Sequence, residues 1–167
     1  MSYKHLFFDL DRTLWDFDTN SEETLLELFD VHRLSERTDH APMEFVNAYQ
    51  AVNERLWAQY RAGTIQKAEL RSTRFRVAFG EMEIDDPDFA DRFGEEYLRI
   101  CPQKTKLVSG ADELLGDLHE KYVMHLITNG FQETQAIKIK AASIEHYFDE
   151  VITSEAAGAR KPDPRST

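Results

Sequence analysis

His5-Leu6-Phe7-Phe8-Asp9-Leu10-Asp11-Arg12-Thr13-Leu14-Trp15-Asp16-Phe17 is the stretch that organises the 167-residue chain. Its short apolar run, bounded by charge, reads as a strand buried on both faces, as in a parallel sheet. The strand delivers two carboxylates, Asp9 and Asp11, at its carboxyl end, where open α/β sheets place their ligands. Two acids two residues apart in extended chain point the same way. They repel unless a cation or a proton lies between them. A Mg²⁺-dependent phosphoryl-transfer site wants this geometry, with Asp9 as nucleophile and Asp11 as acid/base. A polar turn after a core strand reads the same way, so the rest of the chain has to decide.

Composition narrows the classes. Apolar residues make up 41% of the chain, enough to bury a core, and 31% are charged. The length suits one domain, or a core plus a small insert. A formal net charge of −11 argues against binding to nucleic acid or an anionic membrane, both of which need basic surface. It leaves a small anionic substrate open, because a metal ion and one or two cations reverse the sign locally. The single cysteine, Cys101, excludes an internal disulfide framework and a cysteine zinc site, and reads as a packing residue at a helix end. No segment approaches a transmembrane length and no signal peptide is visible, so a cytoplasmic location is expected.

Downstream of Asp11, the segment Leu14 to Thr19 reads as a turn or flap above the acids, with Trp15 and Phe17 beside them. Asn20 is placed to cap a helix running to about Leu34. Pro42 opens a second helix whose stripe Phe45, Tyr49, Val52 and Leu56 recurs at helical spacing, ending at Gly63. A third helix covers roughly Gln66 to Gly80. A fourth starts at Pro87, with Phe89, Phe93, Tyr97 and Ile100 on one face. Four helices with no strand between them form an insert after the first strand. From Ser109 the pattern becomes helix, strand (Tyr122 to Ile127), helix (Gln132 to Ala142) and strand (Glu150 to Thr153), which implies parallel strands joined by crossovers. The predicted fold is therefore α/β, a Rossmann-like parallel core at residues 1–16 and 104–167 carrying a helical-bundle cap at 17–103.

Two further pieces bear on chemistry. Thr128 ends its strand as Asp9 ends the first, and its hydroxyl with the amides of Asn129 and Gly130 forms a donor cluster suited to a phosphate oxygen. Asn-Gly is also ordinary turn chemistry. Lys161 sits in the constrained loop Gly158-Ala159-Arg160-Lys161-Pro162-Asp163-Pro164. There it could neutralise both a phosphoryl group and a nucleophilic carboxylate; by itself it also reads as a solvated surface lysine.

Together, Asp9-x-Asp11-x-Thr13, Thr128 and Lys161-Pro162, in this order and each following a strand, resemble motifs I, II and III of the haloacid dehalogenase-like hydrolase superfamily. The helical insert is similar to that superfamily's cap. Tyr49-Gln50-Ala51-Val52-Asn53-Glu54-Arg55-Leu56-Trp57, with Tyr60, Gly63, Ile65 and Ile127-Thr128-Asn129-Gly130-Phe131, is similar to the pyrimidine 5′-nucleotidase branch, whose members dephosphorylate nucleoside monophosphates. The resemblance implies Asp9 as nucleophile through a phospho-aspartyl intermediate and Asp11 as acid/base. It implies Mg²⁺ bound by Asp9 and Asp11, and phosphate held by Thr128, Asn129, Gly130 and Lys161. Trp15 and Phe17 are expected to touch substrate. Trp57 and Tyr60 are expected to pack within the cap, and the six histidines are assigned no chemistry. A sugar-phosphate phosphatase or a phosphomutase of the same superfamily remains the alternative.

The chain departs from the family's pattern after Lys161. The helix, strand and acidic fourth motif that follow in relatives are missing from these 167 residues. That absence predicts weak metal binding, slow or no turnover by the chain alone, and an exposed edge on the first strand that a dimer could cover.

Overall fold

A computed structural model describes residues 3–163. The elements run β1 (His5–Phe8), α1 (Phe17–Val31), α2 (Pro42–Ala62), α3 (Lys67–Glu81), α4 (Pro87–Ile100), α5 (Ala111–His119), β2 (Val123–Thr128), α6 (Gln132–Ala141), β3 (Glu150–Thr153) and α7 (Ser154–Ala157). The three strands form one parallel sheet in the order β1-β2-β3. The fold is α/β, as the alternation after Ser109 predicted. Contacts divide the chain into two units, Ser21–Ile100 and the remainder on either side of it. α1 begins in one unit and continues into the other.

In the α/β unit, β2 is the buried strand. It is flanked on both sides, and every residue from Met124 to Thr128 is enclosed. β1 differs from its expected burial on both faces: His5 and Phe7 are exposed and Leu6 and Phe8 only half-buried. The reason is topological, since β1 pairs with β2 alone among the described residues. Phe7 is 54% exposed and stacks on His125, at 4.9 Å between ring centroids. His5 Nδ1 and His125 Nε2 lie 3.0 Å apart, so two histidines far apart in sequence meet across β1 and β2.

α1 starts four residues earlier than a cap at Asn20 predicts. Asp16 takes the cap role: its carboxylate accepts from the Thr19 amide (3.1 Å) and the Thr19 hydroxyl (2.8 Å). Asn20 does something else. Buried completely, it donates to the Lys106 carbonyl (2.9 Å) and accepts from the Lys106 amide (3.2 Å), fastening the start of α1 to the segment before α5.

Every regular element of the second unit is a helix among the described residues, as the missing strand signal predicted. Phe45, Tyr49, Val52 and Leu56 of α2 are all buried. Gly63 ends that helix at φ 76°, a left-handed position where glycine carries no Cβ penalty. The core is aromatic: Phe75 lies 4.7 Å from Tyr49, 5.1 Å from Phe93 and 5.2 Å from Tyr97 between ring centroids. Trp57 and Tyr60 meet edge to face at 5.5 Å within α2. Arg37 and the Phe89 amide together hold the Asp86 carboxyl below the usual carboxylate range, at the start of α4.

Phe75 touches rings on every side, so truncation removes one of the largest buried groups in the unit. Phe75→Ala should lower the unfolding free energy by about 3–5 kcal/mol, read as a shifted midpoint in chemical denaturation followed by far-UV circular dichroism.

Candidate active site

Sheet register gathers the site. Phe8 pairs with Leu126, and Thr128 pairs with Thr153 at the ends of β2 and β3. Asp9, Thr128 and Ser154 therefore leave their strands at the same carboxyl edge. Past Asp9 the chain turns tightly. The Leu10 carbonyl accepts from the amides of Thr13, Leu14 and Trp15 at 3.3, 2.9 and 2.9 Å, and Arg12 adopts a left-handed φ of 64°. Its amide closes the turn on the Trp15 carbonyl at 2.9 Å, and its guanidinium grips Asp18 at 3.0 and 3.1 Å.

Each of the two acids has its own ammonium. Lys161 Nζ donates to Asp9 Oδ1 at 2.5 Å and to the Ile127 carbonyl at 2.6 Å. Lys138 Nζ donates to Asp11 Oδ1 at 2.6 Å. Lys161 is 30% exposed and Asp9 43%, whereas the Lys138 side chain is 6% exposed. The repulsion built into an Asp-x-Asp pair is thus answered by cations from two separate segments.

Thr128 is placed with a clear polarity. Its Oγ1 accepts from Gln135 Nε2 (2.7 Å) and from the Gly130 amide (3.0 Å). A hydroxyl has two lone pairs and one proton, so with both lone pairs occupied the proton points outward as a donor. The Gly130 amide, read from the sequence as a phosphate donor, is directed at Thr128 instead. The Asn129 side chain is also committed: Oδ1 accepts from the Lys161 amide (2.8 Å) and Nδ2 donates to the Lys161 carbonyl (3.2 Å). It holds the loop that carries Lys161.

Trp15 differs most from expectation. It is fully enclosed, its indole N–H donates to the Lys104 carbonyl at 3.0 Å, and Lys138 Nζ stands 4.3 Å from its ring centroid. It has no surface left for a substrate and acts as a wall behind Lys138. Phe17 is the first residue of α1, not part of a flap, and is half-buried with Arg12 5.1 Å from its ring centre. Sequence reasoning missed Gln135 and Lys138, both on α6. The available signal was two polar side chains three apart on the face that Phe131 and Ile139 mark as buried.

Oxygen donors for a metal ion are present. The Asp9 carboxylate keeps its second oxygen outside the Lys161 contact, and no main-chain amide among the described residues donates to the Asp11 carbonyl. Hard oxygens of this kind suit Mg²⁺, which binds through one or two protein oxygens and retains water. Among the described residues no three His, Cys, Asp or Glu side chains cluster as a metal site, and no helix is long and apolar enough to cross a membrane.

Known proteins resemble this chain. The family model of the haloacid dehalogenase-like hydrolases matches residues 3–166. Pyrimidine 5′-nucleotidase PynA of Streptococcus pneumoniae is 34% identical over 166 residues, covering 98% of this chain and 66% of that protein. Pyrimidine 5′-nucleotidase YjjG of Escherichia coli is 28% identical over 167 residues, covering 99% of this chain and 68% of that protein. The chain thus spans about two thirds of the length of these curated relatives. The magnesium-bound crystal structure of the HAD-hydrolase YfnB from Bacillus subtilis superposes with a TM-score of 0.87 at 23% identity, over 99% of this chain and 71% of that one. With the paired acids, the strand-end threonine and the loop lysine at one sheet edge, and a family match over nearly the whole sequence, the chain belongs to the haloacid dehalogenase-like hydrolases.

Proposed function

We propose that the protein is a Mg²⁺-dependent phosphomonoester hydrolase that acts on nucleoside 5′-monophosphates through a phospho-aspartyl intermediate. The observation that carries this reading is the environment of Asp9. It is a carboxylate at a strand end, partly open, with Lys161 Nζ on one oxygen and the other oxygen unengaged by hydrogen bonds among the described residues. The nucleotide specificity rests on likeness to the two pyrimidine 5′-nucleotidases.

The residues divide the work as follows. Asp9 attacks phosphorus, forming a P–O bond to its carboxylate as the P–O bond to the nucleoside breaks. Asp11 in its protonated form gives its proton to the leaving oxygen, which yields the carboxylate that Lys138 and Gln135 hold. That carboxylate then takes a proton from the water that attacks phosphorus and releases Asp9. The outward Thr128 hydroxyl donates to a phosphate oxygen. Lys161 has committed two of its three N–H groups, to Asp9 and Ile127, which leaves the third for the phosphate. Mg²⁺ bound through the Asp9 carboxylate and the Asp11 carbonyl would supply positive charge to offset that of the phosphoryl group. Asn129 keeps Lys161 in place through its backbone, and Trp15 closes the site behind Lys138.

Asp9→Asn should remove turnover and leave the fold intact, since a neutral amide is a far poorer nucleophile. Asp11→Asn should slow it by roughly 10²–10⁴-fold. Both are read as phosphate release from a panel of nucleoside monophosphates and sugar phosphates. Wild-type turnover by Asp9→Asn would refute the mechanism, and a sugar phosphate outrunning every nucleotide would refute only the specificity. Chelation should abolish release without altering the circular dichroism, and added Mg²⁺ should restore it; release that survives chelation would exclude the metal dependence.

A further inference from the structure

Helix α6 is amphipathic in reverse at one place. Ile137 is 43% exposed, while its neighbour Lys138 is 5% exposed and Gln135, one turn earlier, 1%. Burying an ammonium and an amide costs free energy unless each finds partners. Lys138 Nζ reaches Asp11 Oδ1 at 2.6 Å and lies 4.3 Å from the Trp15 ring centre and 5.5 Å from that of Phe17. Gln135 Nε2 donates both hydrogens, to Asp11 Oδ2 at 2.8 Å and to Thr128 Oγ1 at 2.7 Å. Both oxygens of one carboxylate are therefore addressed from a single helix face, by residues at i and i+3.

The arrangement leaves Gln135 Oε1 buried without a hydrogen-bond partner. Turning the amide over would set that oxygen against the Asp11 carboxylate, so the orphan acceptor is the cost of holding the acid. Buried unpaired groups are uncommon enough to need a reason. Gly130 belongs to the same device. A Cβ there would stand 2.3 Å from Gln135 Nε2, 2.4 Å from its Cδ and 2.9 Å from its Cγ, so only glycine leaves room for the glutamine.

We propose that Gln135 and Lys138 are positioning residues for Asp11: they fix the orientation of its carboxylate, and Gln135 ties that orientation to the Thr128 hydroxyl. The inference rests on the phosphatase reading above and names how its acid/base is held. A carboxylate with Asp9 two residues away and no such grip turns from its neighbour; gripped at both oxygens, it stays where the leaving group needs a proton. The effect of losing Lys138 falls on the step that uses the acid and spares binding.

The test compares two esters in the burst of leaving group released by the first step. A nucleoside leaves only with a proton, whereas 4-nitrophenolate leaves without one. Lys138→Met should slow nucleoside release by about 10²-fold, the scale of a small misplacement of a reacting group, slow 4-nitrophenolate release far less, and barely change KM. Lys138→Arg should recover part of the loss, Gly130→Ala and Gln135→Leu should reproduce the same bias, and Lys140→Met, on the exposed side of α6, should match wild type. Equal slowing of both esters, or no slowing, overturns the proposal. Should Lys138→Met fail to fold, Gln135→Leu, which keeps the charge balance, carries the comparison. A crystal structure of Lys138→Met gives a readout without activity: an Asp11 carboxylate in its wild-type orientation overturns the proposal. Absence of any Mg²⁺-dependent release even by a chain extended through the acidic fourth motif refutes the phosphatase reading, while the orientation of Asp11 still decides the positioning.

Discussion

Two carboxylates at one strand end repel, and the α/β unit is arranged around that repulsion. Asp9 is answered by Lys161 from the loop beyond β3, and Asp11 by Lys138 from α6. The chain must therefore bring three segments to one edge of the sheet before the first strand's ending is tolerable. Parallel pairing does this, because β1, β2 and β3 all end on the same side. Charge cancels pair by pair. What the two ion pairs leave at this edge is directional: the Thr128 proton and the third Lys161 N–H, rather than surplus charge.

The architecture was legible because it follows from periodicity. The stripe Phe45, Tyr49, Val52, Leu56 predicts α2 almost to the residue, and the apolar run before Thr128 predicts β2. Where local signals competed, the reading slipped. Asn20 and Asp16 are both good caps, and the choice between them was made by the Lys106 peptide, which lies far along the chain and claims Asn20. The apolar residues of the first strand predict burial, but burial belongs to neighbours, and β1 has one strand beside it among the described residues.

The candidate site was legible in its acids and its threonine, which stand at strand ends, and in its lysine loop, which follows β3 and α7, because each lies within a short motif. Gln135 and Lys138 were not, because a helix is read by its apolar residues and these two occupy an apolar position. Trp15 was misjudged for a related reason. An aromatic beside a pair of strand-end acids suggests stacking on a ligand, yet the same flat face also suits an enclosed ammonium, and here it serves one.

The Asn129 side chain offers both a donor and an acceptor to the peptide of Lys161, which is what an adjoining strand would offer. It works as a single rung of sheet made from a side chain, at a point where β2 has already ended. Aspartate there would accept but not donate, and leucine would do neither. Substitution of Asn129 would then release the loop that carries Lys161, and its effect would be felt through the lysine. A residue of this kind stands in a motif as a ligand would, while its partner is the backbone of a neighbouring loop.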